Sequence, residues 1–221
     1  MKVSAIIVAA GSGSRMKAGK NKVFLQLAGK SILENTVEVF ENCTKIDSIT
    51  VVTSDVKECE KLLLPYKKVC AIVPGGATRQ ESVRCGLLAS SGDVAVIHDG
   101  ARALIRSEEI IAAIDACVEF GAAAVGVKSK DTLKKADADG FIEGTLDREY
   151  VYNIQTPQVF KLDEILNFHN ESKTDSFTDD CALAESFGKR IKIVPGSYDN
   201  IKITTPEDME IAEKILEKRG T

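Results

Sequence analysis

The 221-residue chain has no surplus of basic residues: 29 Lys and Arg stand against 33 Asp and Glu, for a formal net charge of −4. That removes sequence-blind attraction to a nucleic-acid backbone, so an anionic ligand has to be met by a local cluster of cations. The chain also lacks any C-x-x-C pair. Its six cysteines, Cys43, Cys59, Cys70, Cys85, Cys117 and Cys181, are widely spaced, and only His98 and His169 could join them in a zinc site. Reduced, mostly buried thiols in a cytoplasmic chain are therefore expected. No segment approaches the roughly 18 uninterrupted apolar residues of a membrane span. The apolar run from Val3 to Ala10 lacks the charged leader of a signal peptide and reads as a buried strand. No repeat, low-complexity tract or long linker divides the sequence, so residues 1–221 are read as one domain. With 44% apolar and 28% charged residues, that domain has the composition of an ordinary globular protein with a sizeable core.

Short β-branched runs alternate with segments of helical period. Val3 to Ala9, Ser48 to Thr53, Val69 to Val73, Val94 to Ile97 and Ala122 to Val127 are apolar on both faces, as parallel strands between helices are. Ile32 to Phe40, Val56 to Leu64, Gln80 to Ala89 and Ser107 to Phe120 space their apolar residues three and four apart. Ser107, followed by Glu108 and Glu109, reads as a helix cap with acids in the first turn. Further helices are expected near Asp163 to Asn170, Asp179 to Phe187 and after Pro206, with a strand near Arg190 to Val194. This is βαβ alternation, hence a mostly parallel sheet with helices on both faces. The pattern breaks at about 128–152. Asp131 to Arg148 reads as two polar strands about an Asp-Gly turn, a hairpin arm that projects from the domain and seeks a partner surface.

Three loops at carboxyl ends of strands carry the chemistry. The first, Ala9-Ala10-Gly11-Ser12-Gly13-Ser14-Arg15-Met16, has small residues that admit a phosphate, but Met16 stands where a dinucleotide fingerprint needs its third glycine or an alanine. What it offers instead is Arg15, with Lys17, Lys20 and Lys22 behind. Gly29-Lys30-Ser31 imitates the end of a phosphate-binding P-loop, but Phe24 occupies the glycine position that motif requires, so it reads as a turn into a helix. The second loop combines Gly75, Gly76, Thr78, Arg79 and Ser82 before a helix, suited to a base, sugar or phosphate. The third places Asp99 just after an apolar strand, where a carboxylate can hold a divalent metal on a triphosphate. Near the end, Lys202 lies beside an expected short strand.

Taken together and in order, Ala9 to Met16, Lys22, Gly75-Gly76 with Arg79, Ser82 and Val83, His98-Asp99-Gly100-Ala101-Arg102, Thr156-Pro157-Gln158 and Asp199-Asn200-Ile201-Lys202 resemble 2-C-methyl-D-erythritol 4-phosphate cytidylyltransferases. The resemblance implies a Rossmann-like three-layer nucleotidyltransferase fold of the nucleotide-diphospho-sugar transferase type. It implies a Mg2+-dependent enzyme of the non-mevalonate isoprenoid route that joins CTP to a small sugar-alcohol phosphate, and a homodimer made through the arm. It further implies Arg15, Lys22, Asp99 and Lys202 as catalytic, with Asp99 also a metal or substrate-positioning acid. Ala9, Ala10, Gly11, Gly76, Arg79 and Ser82 would bind CTP, and Arg102, Thr132, Arg148 and Thr178 would hold the acceptor or balance its charge. Two departures stand out, Asn21 and Ala103, each where family members commonly have proline.

A phosphate monoester is already an ionised nucleophile near neutral pH, and the sequence shows no Ser-His-Asp machinery. The task is to bring two anions together in line and neutralise the charge that builds at the α-phosphate. Ribitol 5-phosphate cytidylyltransferase is the rival reading, against which Ala9-Ala10-Gly11 stands in place of Ala-Gly-Gly. A catalytically silent nucleotide-binding module is the rival from another class, and retention of Arg15, Lys22, Asp99 and Lys202 argues against it.

Overall fold

The computed structural model of the chain describes residues 1–11 and 21–220. Its elements in order are β1 (Val3–Ala9), a 3-10 turn (Lys22–Phe24), β2 (Gln26–Leu27), β3 (Lys30–Ser31), α1 (Ile32–Asn42), β4 (Ser48–Thr53), α2 (Val56–Leu63) and β5 (Val69–Pro74). There follow α3 (Arg79–Leu88), β6 (Val94–Asp99), α4 (Ser107–Phe120), β7 (Ala122–Lys128), β8 (Lys134–Ala136), β9 (Ile142–Thr145) and β10 (Tyr152–Lys161). The chain ends with α5 (Leu162–Glu171), α6 (Asp180–Ser186), β11 (Lys192–Pro195) and α7 (Pro206–Arg219). Seven strands form the main sheet in the order β11-β7-β10-β6-β1-β4-β5. All run parallel except β10, which pairs antiparallel with both neighbours.

Alternation along β1 builds the three layers. Ala5, Ile7 and Ala9 pack with Leu33, Val37 and Phe40 of α1 and with Ile110 and Ile114 of α4. Ile6 points the other way, into Val83 and Leu87 of α3, Ile165 of α5 and Leu183 of α6. Both faces are apolar because both are covered, which is the expected mostly parallel α/β architecture. A smaller cluster of Leu27, Ile32, Leu104, Ile203, Ala212 and Leu216 seats α7 against the β2–β3 turn.

The helix starts follow local hydrogen-bond chemistry. Ser31 and Glu34 close a capping box on α1, as Thr78 and Glu81 do on α3. The start of α4 corrects the sequence reading: Arg106, not Ser107, is the cap residue. The Glu109 carboxylate accepts from Arg106 N at 3.0 Å and from Ser197 N at 2.7 Å, so an acid inside the helix satisfies the entry that a serine was expected to cap.

Two further expectations are corrected. The sequence reading put no strand at β10, because Gln155, Thr156, Pro157 and Gln158 break the apolar pattern and proline cannot donate to a ladder. The pairing with β7 shifts register between Ile154 and Gln158, where the Thr156–Pro157 peptide is cis, and Gln158 to Lys161 then pair with β6. Lys202 has no strand beside it. Residues 201–204 are irregular, tied down by Ile203 N donating to Ala101 O at 2.8 Å.

The expected polar hairpin is present. β8 and β9 make a two-stranded sheet apart from the main one. Asp137 accepts at its tip from Asp139 N and Phe141 N, and Gly140 takes a φ of 89°, the left-handed region where a side chain would be strained. Phe141, Ile142 and Tyr150 are exposed. Among the described residues no helix is long and apolar enough to cross a membrane.

Candidate active site

A cleft of about 460 Å³ opens at the carboxyl ends of β1 and β6 and beside the loop that follows β5. Ala9, Ala10, Gly11, Lys22, Gly76, Arg79, Ser82, Asp99 and Lys202 all line it. Arg15 lies outside the described residues. Arg102 stands behind the wall, its Nε 3.7 Å from Asp99 Oδ2. Thr132 and Arg148 sit exposed on the arm and Thr178 in the exposed loop before α6; none of the three lines the cleft.

Gly75 lets the first two loops meet. A Cβ there would come within 2.3 Å of Ala10 Cβ and 2.8 Å of Ser82 Oγ, so only glycine allows the contact. The Ser82 hydroxyl donates to Thr78 O at 2.8 Å and accepts from Gly76 N at 3.1 Å. It therefore shapes the turn that carries Gly76 and seats the amino end of α3 against the cleft, where the helix dipole favours an anion.

Asp99 is the single acid lining the cleft among the described residues, held among three cations: Lys202 Nζ at 2.8 Å, Arg79 Nε at 3.6 Å and Arg102 Nε at 3.7 Å. Burial pushes its carboxyl up, but Arg79, Lys202 and Arg102 outweigh this and hold it well below the usual carboxylate range. Asp99 is thus ionised, and the cleft still carries more positive than negative charge in an acidic protein. Lys22, also lining the cleft, donates from Nζ to Ile203 O, next to Lys202, at 2.7 Å.

A network that sequence reasoning missed fixes the Asp99 wall. His98 is fully buried; its Nε2 lies 3.2 Å from Arg102 O and its Nδ1 3.0 Å from Thr156 Oγ1. A carbonyl only accepts, so Nε2 carries the proton and Nδ1 accepts from the Thr156 hydroxyl. Thr156 Oγ1 in turn accepts from Asp99 N at 3.1 Å. Burial lowers the His98 pKa to about 4, keeping the ring neutral. Asn200, also fully buried, donates to Thr156 O and to Gln155 Oε1, while Arg102 Nη1 donates to Asn200 O at 2.7 Å. So β6, β10 and the segment leading to Lys202 are locked together. The motifs containing His98, Thr156 and Asn200 were visible in the sequence, but nothing local says that they meet.

Asn21 is the other residue whose role only the fold discloses. Its Nδ2 donates to Ala9 O at 2.8 Å and Ser54 Oγ at 3.0 Å, while its Oδ1 accepts from Val23 N and caps the turn bearing Lys22. Three side-chain hydrogen bonds hold Asn21 in place, where the resemblance implied a proline.

The sequence model of the family described as 2-C-methyl-D-erythritol 4-phosphate cytidylyltransferase matches residues 3–218. The chain belongs to this family. It is 47% identical over 225 residues to a 2-C-methyl-D-erythritol 4-phosphate cytidylyltransferase of Clostridium novyi, covering 98% of this chain and 97% of the relative. It is 43% identical over 227 residues to one of Pelotomaculum thermopropionicum, covering 99% and 95%. Its fold matches the crystal structure of 4-diphosphocytidyl-2C-methyl-D-erythritol synthase from Anaerococcus prevotii with a TM-score of 0.87 at 36% identity, over 98% of this chain and 96% of that one. Membership makes the chain a nucleotidyltransferase of the cytidylyltransferase class, on the nucleotidyltransferase fold expected from its motifs.

Proposed function

We propose that this cytidylyltransferase transfers the cytidylyl group of CTP to 2-C-methyl-D-erythritol 4-phosphate, the reaction named by its family. A phosphate oxygen of the acceptor attacks the α-phosphorus of CTP; the new P–O bond forms as the α–β bond breaks, giving 4-CDP-2-C-methyl-D-erythritol and pyrophosphate. No proton need be removed from the nucleophile. The chain's work is to bind two anions in line and to offset charge at the α-phosphate and the leaving group. Lys22 and Arg15 are assigned to that charge, and Asp99 with Lys202 and Arg102 to placing the acceptor. The observation that carries the reading is the cation-rich cleft around the ionised carboxylate of Asp99.

Asp99, the acid that lines the cleft among the described residues, would hold a magnesium ion together with the phosphates of the nucleotide. Among the described residues no group of three His, Cys, Asp or Glu could form an all-protein cage. When bound, the ion would screen the negative charge of the triphosphate.

The exposed apolar residues of the arm support a homodimer in which each arm packs on the other copy and brings Arg148 toward its partner's cleft. Six free cysteines, four of them buried, support a cytoplasmic enzyme. The deciding experiment follows pyrophosphate release from CTP with 2-C-methyl-D-erythritol 4-phosphate and ribitol 5-phosphate side by side. The expected result is a higher kcat/KM with the former, and the reverse order overturns the acceptor assignment.

A further inference from the structure

Arg79 is bound from behind by a carboxylate that the proposed mechanism does not use. Its Nη1 donates to Asp180 Oδ2 at 2.9 Å, and its Nε lies 3.6 Å from Asp99 Oδ1. The Asp180 side chain is only 1% exposed, so it belongs to the protein interior rather than to the cleft. Its other oxygen, Oδ1, lies 3.1 Å from Nε2 of the buried His169. Its backbone is fixed too, because Gln158 Oε1 on β10 accepts from Asp180 N at 3.0 Å and Cys181 N at 3.1 Å. Burial pushes the Asp180 carboxyl up, but Arg79 and the His169 hydrogen bond outweigh it and hold the group ionised, below the usual range.

One guanidinium therefore faces two carboxylates. Asp99 has Lys202 and Arg102 besides, whereas among the described residues Arg79 is the one Lys or Arg paired with Asp180. The charge of Arg79 is compensated inside the wall. Its Nη2 makes no hydrogen bond among the described residues, and the side chain is 25% exposed where it lines the cleft. A guanidinium anchored at Nη1, with its charge already balanced, offers a directed N–H rather than a mobile positive charge.

We propose that Asp180 is a positioning residue that, through Arg79, directs an N–H at an uncharged acceptor of the nucleoside, a base or ribose oxygen, instead of leaving Arg79 as a phosphate clamp. The proposal rests on the reading of the cleft as a CTP site. Phosphate neutralisation is then left to Lys22 and Arg15, and Arg79 with Asp180 sets how the nucleoside is held.

The two roles separate if binding of CTP is compared with binding of inorganic tripolyphosphate, which has the charge and no nucleoside. Both are measured by calorimetry on the full chain. Asp180→Asn removes the compensating charge and loosens Arg79, so CTP should bind about tenfold more weakly while tripolyphosphate binds as well as before or more tightly. Simple damage to the fold would weaken both. Arg79→Lys keeps the charge and loses the fork, and should again cost CTP about tenfold while tripolyphosphate stays within about twofold. If Asp180→Asn fails to fold, Asp180→Glu, which keeps the charge but shifts the carboxylate against Arg79 Nη1, takes its place with the same expectation: weaker CTP binding and unchanged tripolyphosphate binding. Parallel weakening of the two ligands, or unchanged CTP binding in the folded variants, overturns the proposal. Wild-type turnover with the two acceptors tests the functional reading separately, since it does not depend on how Arg79 is held.

Discussion

His98 is fully buried with a partner for each ring nitrogen, while Phe141 at the tip of the arm is 73% exposed. The stretches that contain them both carry residues expected in the site. Around His98 the position of each group is over-determined by the chain's own packing: Asp99 by Thr156, Arg102 by Asn200, Lys202 by Asp99. In the arm, residues 134–143 are all exposed, and the ordering comes from backbone pairing and the Asp137 turn. A wall of this kind is preorganised before any ligand arrives, which is what stabilising a developing charge requires. An arm of this kind has no apolar surface of its own to rest on, so its side chains gain a defined place only against another surface.

The largest test of this difference is Lys22→Ala. It should lower turnover at least about 100-fold with Tm little changed, because it removes a charge assigned to the transition state and only the hydrogen bond to Ile203 O from the fold. A near-normal rate would leave Lys22 outside the chemistry. His98 probes the wall through pH. The folded chain keeps the ring neutral down to about pH 4, while the unfolded chain takes up a proton below about 6.5. The resulting stabilisation is fully present above pH 6.5 and lost as pH falls toward 4, about 3 kcal/mol in all. Urea unfolding at a series of pH values should show this slope in the wild type and a flatter one in His98→Asn. Equal slopes would mean that the ring is not held neutral.

Co-expressing Lys22→Ala with Arg148→Ala tests the arm. If Arg148 completes the partner's site, mixed dimers hold one intact site, and random assortment gives about a quarter of wild-type activity. Activity no higher than either single variant, with mixed dimers present, would place Arg148 in its own chain's site. Asn21→Ala should cost about tenfold in kcat with the CTP KM little changed, since it loosens the turn that carries Lys22 and leaves the cation in place. A KM effect alone would tie Asn21 to nucleotide binding instead. The smallest effect is expected at Lys135→Ala, which removes the exposed Lys135–Glu143 pair of the arm. Thermal unfolding should change by less than about 0.5 kcal/mol, and a larger loss would show that the arm supports the domain.

Most of the scaffold was legible along the chain, and the reasons for the misses are specific. The bounds of β1 and β4 are those read from the sequence, because strands covered on both faces are apolar throughout. β10 escaped because its buried stretch is polar: Gln155, Thr156 and Gln158 turn their hydrogen bonds toward the loops and helix starts around the cleft, so the strand lacks the apolar signature of a core element. Asp180 read only as part of a helix start, since its partners Arg79 and His169 are 101 and 11 residues away. The Asn21 substitution was visible as a departure, but its compensation depends on Ala9 and Ser54 on neighbouring strand ends.

By itself the sequence determined the βαβ alternation, the small-residue loops, the projecting arm and the motif order that marks the family. Each of these is a local pattern of periodicity, turn chemistry or residue spacing. Only the tertiary structure decided that Asp99 is ionised among three cations, that His98 is neutral and which nitrogen bears its proton, and that Arg79 answers to a carboxylate behind the wall. Protonation and charge compensation depend on what surrounds a group in three dimensions, and the fold brings together side chains distant in the chain, as it does Asp99 and Lys202, 103 residues apart.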